Sequence, residues 1–153
     1  MEKNLINFLN ISRELNLNLS LEDVKRLHPL QLAYIGDAVY ELMVRTAILE
    51  VDLNVNKLNE KARKYVKATS QASAVKSLEG FFNEKELSII RRGRNAKINS
   101  SPKNTELIDY KYATGLECLF GYLYLTNQFE RIKEIFLKIY DLGEGALKWK
   151  LNC

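Results

Sequence analysis

Two acidic residues, Asp37 and Glu117, lie in the two most apolar segments of the 153-residue chain. Residues 30–51 are apolar nearly all round, which is typical of a buried helix, and their interior charges are Asp37, Glu41 and Arg45. In residues 112–126 the only charge is Glu117. Because an unpaired carboxylate is costly to bury, proteins neutralise it, pair it or give it a metal ion. Asp37 and Glu117 are therefore candidate metal ligands.

The residue types leave two interpretations of these acids open. In the first, both carboxylates hold Mg²⁺ for phosphodiester hydrolysis, because this ion lowers the pKa of bound water and neutralises phosphoryl oxygens. In the second, they are ordinary acids at helix edges, or buried acids paired with Arg45 or a lysine. Glu41 lies four residues before Arg45, so we expect these two side chains to pair with each other.

Other catalytic chemistries have less support. His28 is the only histidine, which excludes a mechanism with two histidines, and its place beside Pro29 favours a capping or surface role. The two cysteines, Cys118 and Cys153, are far apart and form no zinc-binding pattern. Cys118 lies in an apolar helical pattern, so we expect a buried thiol rather than a disulfide.

The elements that position these residues are predicted to be helices. Apolar residues recur at helical spacing, glycine (7) and proline (2) are scarce, and no segment alternates as a strand would, so we predict an all-α fold. Helices are predicted over residues 4–16, 29–50, 83–93, 106–126 and 128–141, with a loop over 94–105. Ser20 could cap a further short helix. Another helix is predicted to start at Asn54 or Asn56, to run to about 78 and to end at Gly80.

Glycines near the two acids predict that their helices approach closely. Gly36 precedes Asp37, and Gly115 lies two residues before Glu117. Thr114 and Gly121 share the helical face of Glu117, where small residues would admit a close neighbour.

Positive charge is concentrated in the middle of the chain. The formal net charge is +4, but residues 56–103 carry twelve basic and four acidic residues, which gives that stretch a charge of +8. Such a distribution favours a polyanion partner such as nucleic acid, although a solvated lysine-rich helix face would look the same. The length fits one domain, and the absence of a secretory signal or a long apolar run predicts a cytoplasmic protein without membrane contact.

Three ordered motifs resemble the ribonuclease III superfamily. LAYIGDAVYEL (residues 32–42) is similar to its signature helix, and GLECLFGYLYL (115–125) is similar to its second acidic helix. RRGRNAKINSSPKNTELIDYKYATG (91–115) resembles the Mini-ribonuclease III branch in particular. The resemblance covers about residues 28–142 and implies a helical bundle like the ribonuclease III endonuclease domain.

The resemblance implies a function and a site. Asp37 and Glu117 match the catalytic, magnesium-binding acids of an endonuclease of double-stranded RNA, in which metal-bound water attacks the phosphate. Full-length enzymes carry two further acids, at positions that Ala33 and Thr114 occupy in this chain. The Mini branch resembles this sequence in lacking them, so fewer carboxylates and more water would hold the metal.

The resemblance also implies partners and products. The family forms homodimers, and Tyr34 matches an interface aromatic, although it would otherwise read as a core residue. The expected products carry 5′-phosphate and 3′-hydroxyl ends. The expected substrate is the double-stranded stalk of the 23S ribosomal RNA precursor.

A basic stretch before the second acidic helix supplies candidate RNA contacts. Its side chains suit phosphate and 2′-hydroxyl groups, through which double-stranded RNA is mainly recognised: Arg91, Arg92, Arg94, Lys97, Lys103 and Asn104. Two alternatives stay open. One is a catalytically silent protein that binds structured RNA or the ribosome, and the other is a helical protein–protein adaptor whose basic middle is incidental.

Overall fold

The computed structural model describes residues 15, 19–100, 103 and 105–144, and it confirms the all-α fold over these residues. Its helices are α1 (Leu21–Arg26), α2 (Pro29–Ile48), α3 (Val55–Val66), α4 (Ala68–Ser77), α5 (Glu84–Asn95), α6 (Leu107–Leu125) and α7 (Phe129–Glu144). The helix expected over 4–16 lies outside the described residues. Within them, no helix is both long enough and apolar enough to cross a membrane.

Side-chain caps start most of these helices where the sequence predicts. The Ser20 hydroxyl and the Asp23 carboxylate form a capping box at α1, and Asn83 and Glu86 form another at α5. Asn54, rather than Asn56, caps α3. His28 caps α2, because its Nδ1 accepts a hydrogen bond from the Leu30 N–H at 3.1 Å. The expected capping role of His28 is thereby confirmed.

The single helix predicted from about residue 55 to 78 is wrong, because the chain breaks it at Lys67. The Lys67 backbone is extended (ψ 144°) and separates α3 from α4. The buried Tyr40 hydroxyl donates a 2.8 Å hydrogen bond to the Tyr65 carbonyl, which a continuous helix would use for the Thr69 N–H. No glycine or proline marks this break, so the sequence pattern does not show it.

Other helix ends differ by a few residues from the predictions. The helix that begins at Pro29 ends at Ile48 rather than 50, and Arg94 and Asn95 belong to the last turn of α5 rather than to a loop. The helix before Gly80 ends at Ser77, and Gly80 lies in the turn that follows.

Helix α6 forms the centre of the described fold. Nine of its residues are buried, and it packs against α2, α4 and α5. Cys118 on this helix is a buried free thiol, as expected, and its S–H donates to the Pro29 carbonyl at 2.8 Å. Helix α2, by contrast, is buried on one side only. The sequence predicts burial all round, which is wrong for the isolated chain, since Tyr34 and Leu42 are exposed.

Glycines allow α2 and α6 to touch through their backbones. A Cβ atom on Gly36 would lie 1.7 Å from the Glu117 carbonyl oxygen, and one on Gly121 would lie 2.0 Å from the Leu32 carbonyl oxygen. The expected close approach of the two acidic helices is confirmed, but Gly115 is not part of it. Gly115 faces α5, because its Cβ would lie 2.6 Å from the Ile90 carbonyl oxygen.

We predict that Gly36→Ala destabilises the protein by about 3 kcal/mol or more, because the added methyl group meets backbone atoms that cannot move independently. Thermal or denaturant unfolding measures the change. Gly80→Ala is the matched control, since no atom lies within 4 Å of its added Cβ, and it should change the free energy of unfolding by less than about 1 kcal/mol. Equal stabilities of the two variants would contradict the tight crossing.

Candidate active site

The helix crossing brings Asp37 and Glu117 to the same cavity. Asp37 is exposed on α2, and Glu117 is partly buried on α6. The cavity has a volume of about 600 Å³, and both helices contribute its lining: Leu30, Ala33, Tyr34, Ile35, Asp37, Ala38, Glu41, Tyr110, Thr114 and Glu117. The two acids that the sequence singles out are thus placed together.

Neither carboxylate has a protein partner within the described part of the chain. Glu41, which lines the same cavity, instead pairs with Arg45 at 2.5 Å, as expected from their spacing. Arg45 is therefore occupied, and the structure shows no lysine or arginine in an ion pair with Asp37 or Glu117. The interpretation of these two residues as paired structural acids has no support in the geometry.

Burial and neighbouring acids raise the free-energy cost of ionising both carboxylates. Burial raises the pKa of Glu117 to about 8, and the neighbouring charge of Asp37 adds to the shift. Burial also raises the pKa of Asp37, with a further contribution from Glu41. Both shifts have the direction expected for acids that share a site without a cation. A bound cation would relieve the burial cost and the repulsion together.

The donor set of the cavity fits a hydrated divalent cation. Oxygen ligands suit magnesium, which keeps several waters and commonly uses only one or two carboxylates. Ala33 supplies no ligand, and the Thr114 hydroxyl donates to the Tyr110 carbonyl at 2.9 Å. Among the described residues, no group of three or more acidic, histidine or cysteine side chains could hold a metal. Two carboxylates completed by water are the available set.

Tyr110 lines the cavity but is not among the candidate site residues that the sequence indicates. Tyr110, Thr114 and Glu117 are spaced four and three residues apart, so they share one face of α6. That spacing from Glu117 was the available signal. Tyr110 is only partly buried, and its ring forms part of the wall beside Thr114.

The candidate RNA contacts do not form one cluster. Arg91, Lys97 and Lys103 are exposed, whereas Arg92 donates to the Leu27 carbonyl at 3.2 Å and so points towards the start of α2. Arg94 is partly buried against the Tyr112 ring. Asn104 lies outside the described residues. Tyr34 is 84% exposed, so it is no core residue in the isolated chain.

The fold and the cavity define a class of protein: an all-α protein with a two-carboxylate site on crossing helices. A family model described as the Ribonuclease III domain matches residues 30–128. A Mini-ribonuclease 3 of Thermoanaerobacter is 49% identical over 136 residues, which cover 88% of this chain and 93% of that protein. A Mini-ribonuclease 3 of Clostridium tetani is 46% identical over 82% of this chain and 84% of that protein.

A solved structure agrees with these relatives. The crystal structure of a Fusobacterium nucleatum protein superimposes with a TM-score of 0.71 at 31% identity, covering 78% of this chain and 96% of that one. The chain belongs to the ribonuclease III family, and within it to the Mini-ribonuclease 3 group. It is accordingly an endoribonuclease that acts on double-stranded RNA. Members of this family generally depend on a divalent metal.

We predict that Glu117→Gln stabilises the metal-free protein at high pH. The folded state holds the proton of Glu117 up to about pH 8, whereas the ordinary pKa of a glutamate is 4.5. The free energy of unfolding of the wild type therefore falls as the pH rises from about 4.5 to about 8. The Glu117→Gln variant does not lose this stability, because its amide does not ionise. The difference in the free energy of unfolding between variant and wild type should grow by on the order of 2 kcal/mol between pH 5 and 9.

Chemical denaturation in EDTA at several pH values measures this gap. Glu130→Gln is the control, because Glu130 is an exposed acid in the first turn of α7 and should follow the wild type more closely. A gap for Glu117→Gln that does not change with pH would show that the carboxylate is not destabilised in the folded protein.

Proposed function

We propose that this endoribonuclease is magnesium-dependent and cuts double-stranded RNA at the cavity that contains Asp37 and Glu117. One observation carries the proposal: two carboxylates from different helices share a cavity of about 600 Å³ and have no protein partner among the described residues. Proteins rarely leave such acids close together unless a cation belongs between them.

Asp37 and Glu117 would hold the magnesium ion, which when bound supplies an activated water and neutralises charge on the phosphate. Glu117 is the more enclosed of the two, and its backbone lies against Gly36, so its position is fixed by the helix crossing. Asp37 is exposed at the rim, where an RNA strand can reach it. The Glu41–Arg45 ion pair keeps Arg45 away from these two acids, which leaves both free to bind a cation.

The +8 stretch would attract the duplex to this cavity. Arg91, Arg92, Arg94, Lys97, Lys103 and Asn104 are the proposed contacts to phosphate and 2′-hydroxyl groups. Such contacts read the shape of the RNA backbone rather than base edges, which are inaccessible in the deep groove of A-form RNA. The salt dependence of RNA affinity should therefore be steep.

We further propose, on the resemblance to the Mini-ribonuclease III branch, that the substrate is the double-stranded stalk of the 23S ribosomal RNA precursor. Cleavage would leave 5′-phosphate and 3′-hydroxyl ends in the cytoplasm. The Mini-ribonuclease 3 relatives support the ribonuclease group, and the choice of this RNA rests on the resemblance alone.

We also propose a homodimer formed through the exposed side of α2. Tyr34 is 84% exposed, Leu42 is 57% exposed and Leu30 is 36% exposed, which is a large apolar surface for one helix in water. A second copy covering α2 would explain why its sequence is apolar on both sides. Two-fold pairing would give the dimer two Asp37–Glu117 cavities, one for each RNA strand.

We predict that Asp37→Asn lowers cleavage of a long RNA duplex by at least about 100-fold, because an amide cannot supply the anionic ligand worth several kcal/mol of transition-state stabilisation. Asp52→Asn, which makes the same change at an exposed acid beyond α2, should cleave normally. Magnesium should also raise the melting temperature of the wild type but not of Asp37→Asn. RNA binding without cleavage by the wild type would favour the catalytically silent alternative, and cleavage by Asp37→Asn would place the site elsewhere.

We predict that Tyr34→Glu shifts the protein from dimer to monomer, because two like charges would meet near the two-fold axis in place of two aromatic rings. Sedimentation at several protein concentrations measures this shift. Leu142→Glu is the control, since Leu142 is a 54% exposed apolar residue on α7. A dimer that tolerates Tyr34→Glu as well as Leu142→Glu would rule out the α2 interface.

A further inference from the structure

A second pocket lies in the groove between α4, α5 and α6. It has a volume of about 150 Å³ and shares no lining residue with the Asp37–Glu117 cavity. Three helices and the turn after α4 supply its walls: Val75, Lys76, Glu79, Leu87, Ile90, Arg91, Arg94 and Tyr112. Arg91 and Arg94 are among the RNA contacts that the sequence indicates, whereas Lys76 and Tyr112 are not.

Two cations of this pocket are held by one aromatic ring. The Lys76 ammonium nitrogen lies 5.0 Å from the centroid of the Tyr112 ring, and the Arg94 guanidinium carbon lies 5.5 Å from it. The Arg94 Nη1 atom also lies 3.5 Å from the Tyr112 hydroxyl oxygen. Cation–π contacts of this kind hold the charged groups near the ring. The pocket is therefore largely formed before any ligand arrives.

Carboxylates balance the positive charges of the pocket only in part. Within the described residues, Arg91 and Arg94 form no ion pair, and Lys76 reaches only Asp109, at 3.9 Å. Arg131, by contrast, is an arginine whose charge is fully paired within the protein, because it binds the Glu86 and Glu134 carboxylates and the Phe81 carbonyl. Three cations and one acid, Glu79, line the pocket, so it carries a surplus of positive charge.

The chemistry of this pocket fits a phosphodiester group. Guanidinium groups bind phosphate oxygens through two parallel hydrogen bonds, and an ammonium adds a point charge. The volume is small, and Val75, Leu87 and Ile90 line it with apolar surface that offers no hydrogen bond to a base edge. In a duplex the bases are stacked inside, whereas phosphates are accessible along the backbone.

We propose that Lys76, Arg91, Arg94 and Tyr112 form a phosphate-binding pocket that grips an internal phosphodiester of the RNA duplex away from the cleavage site. This inference rests on the proposed function, since the ligand is the same double-stranded RNA. Helix α6 contributes residues to both the pocket and the Asp37–Glu117 cavity, so the distance between the two sites is fixed by the fold. Arg92 takes no part, because it faces the Leu27 carbonyl.

We predict that Lys76→Met weakens binding of an RNA duplex of about 20 base pairs several-fold, and reduces the slope of log affinity against log salt by about one. The double variant Arg91→Gln/Arg94→Gln should reduce that slope by about two. Binding is measured in EDTA, so that cleavage does not interfere. Lys76→Arg keeps the charge and should retain most of the affinity.

Lys133→Met is the matched control, because Lys133 is an exposed lysine on α7 without an ion pair among the described residues. The proposal is supported if the slope of log affinity against log salt falls only in the pocket variants while their melting temperatures stay unchanged. Equal losses for Lys76→Met and Lys133→Met, or no loss for either, would overturn it and leave only diffuse surface charge.

The ends of the duplex distinguish the source of the phosphate. Duplexes with 5′-hydroxyl ends and duplexes with 5′-phosphate ends should lose affinity equally in Lys76→Met, because the pocket grips an internal phosphodiester. A loss seen only with 5′-phosphate ends would overturn the proposal in favour of a terminal phosphate site. Failure of the wild type to bind or cleave any duplex would instead contradict the proposed function, so the two failures are distinguishable.

Discussion

The backbone contact between α2 and α6 is the constraint on which the rest of the site depends. Gly36 and Gly121 each lie against a carbonyl of the opposite helix, so neither position tolerates a side chain without separating the helices. Asp37 follows Gly36 directly, and Glu117 supplies the carbonyl that Gly36 touches. The distance between the two carboxylates is thus set by main-chain packing, which is far stiffer than any surface loop.

This rigidity has an electrostatic cost. Placing Glu117 in a partly buried site beside Asp37 raises its pKa to about 8, so the folded protein resists ionising this carboxyl group. This cost is offset elsewhere, because α6 also contributes Leu116, Leu119 and Phe120 to the hydrophobic core. A cation bound between the two acids, as proposed above, would convert the same repulsion into attraction.

Some features of this arrangement could be predicted from residue types alone. Asp37 and Glu117 could be identified because acids within apolar helices are costly to bury. The starts of two helices could be predicted because Ser20 and Asn83 are residue types that cap helices through local hydrogen bonds. The break at Lys67 could not be predicted, because its cause is a hydroxyl from Tyr40, 25 residues away. For the same reason Gly115 was assigned to the wrong neighbour: periodicity shows that a small residue permits a close approach but does not identify the approaching helix.

The basic residues show a similar limit of prediction from sequence, because side chains of one type and one region point to different places in the fold. A count of charges treats Arg91, Arg92 and Arg94 alike, yet α5 turns Arg92 towards α2 while Arg91 and Arg94 line a pocket with Lys76 from α4. Helix α6 contributes to both this pocket and the Asp37–Glu117 cavity, since Tyr112 and Glu117 lie five residues apart, about 7.5 Å along its axis and about 140° around it. Gly115, between them, lets α5 lie against α6. The two glycine crossings therefore fix both sites on one helix, and a duplex that contacts both has its register set by the protein rather than by base sequence.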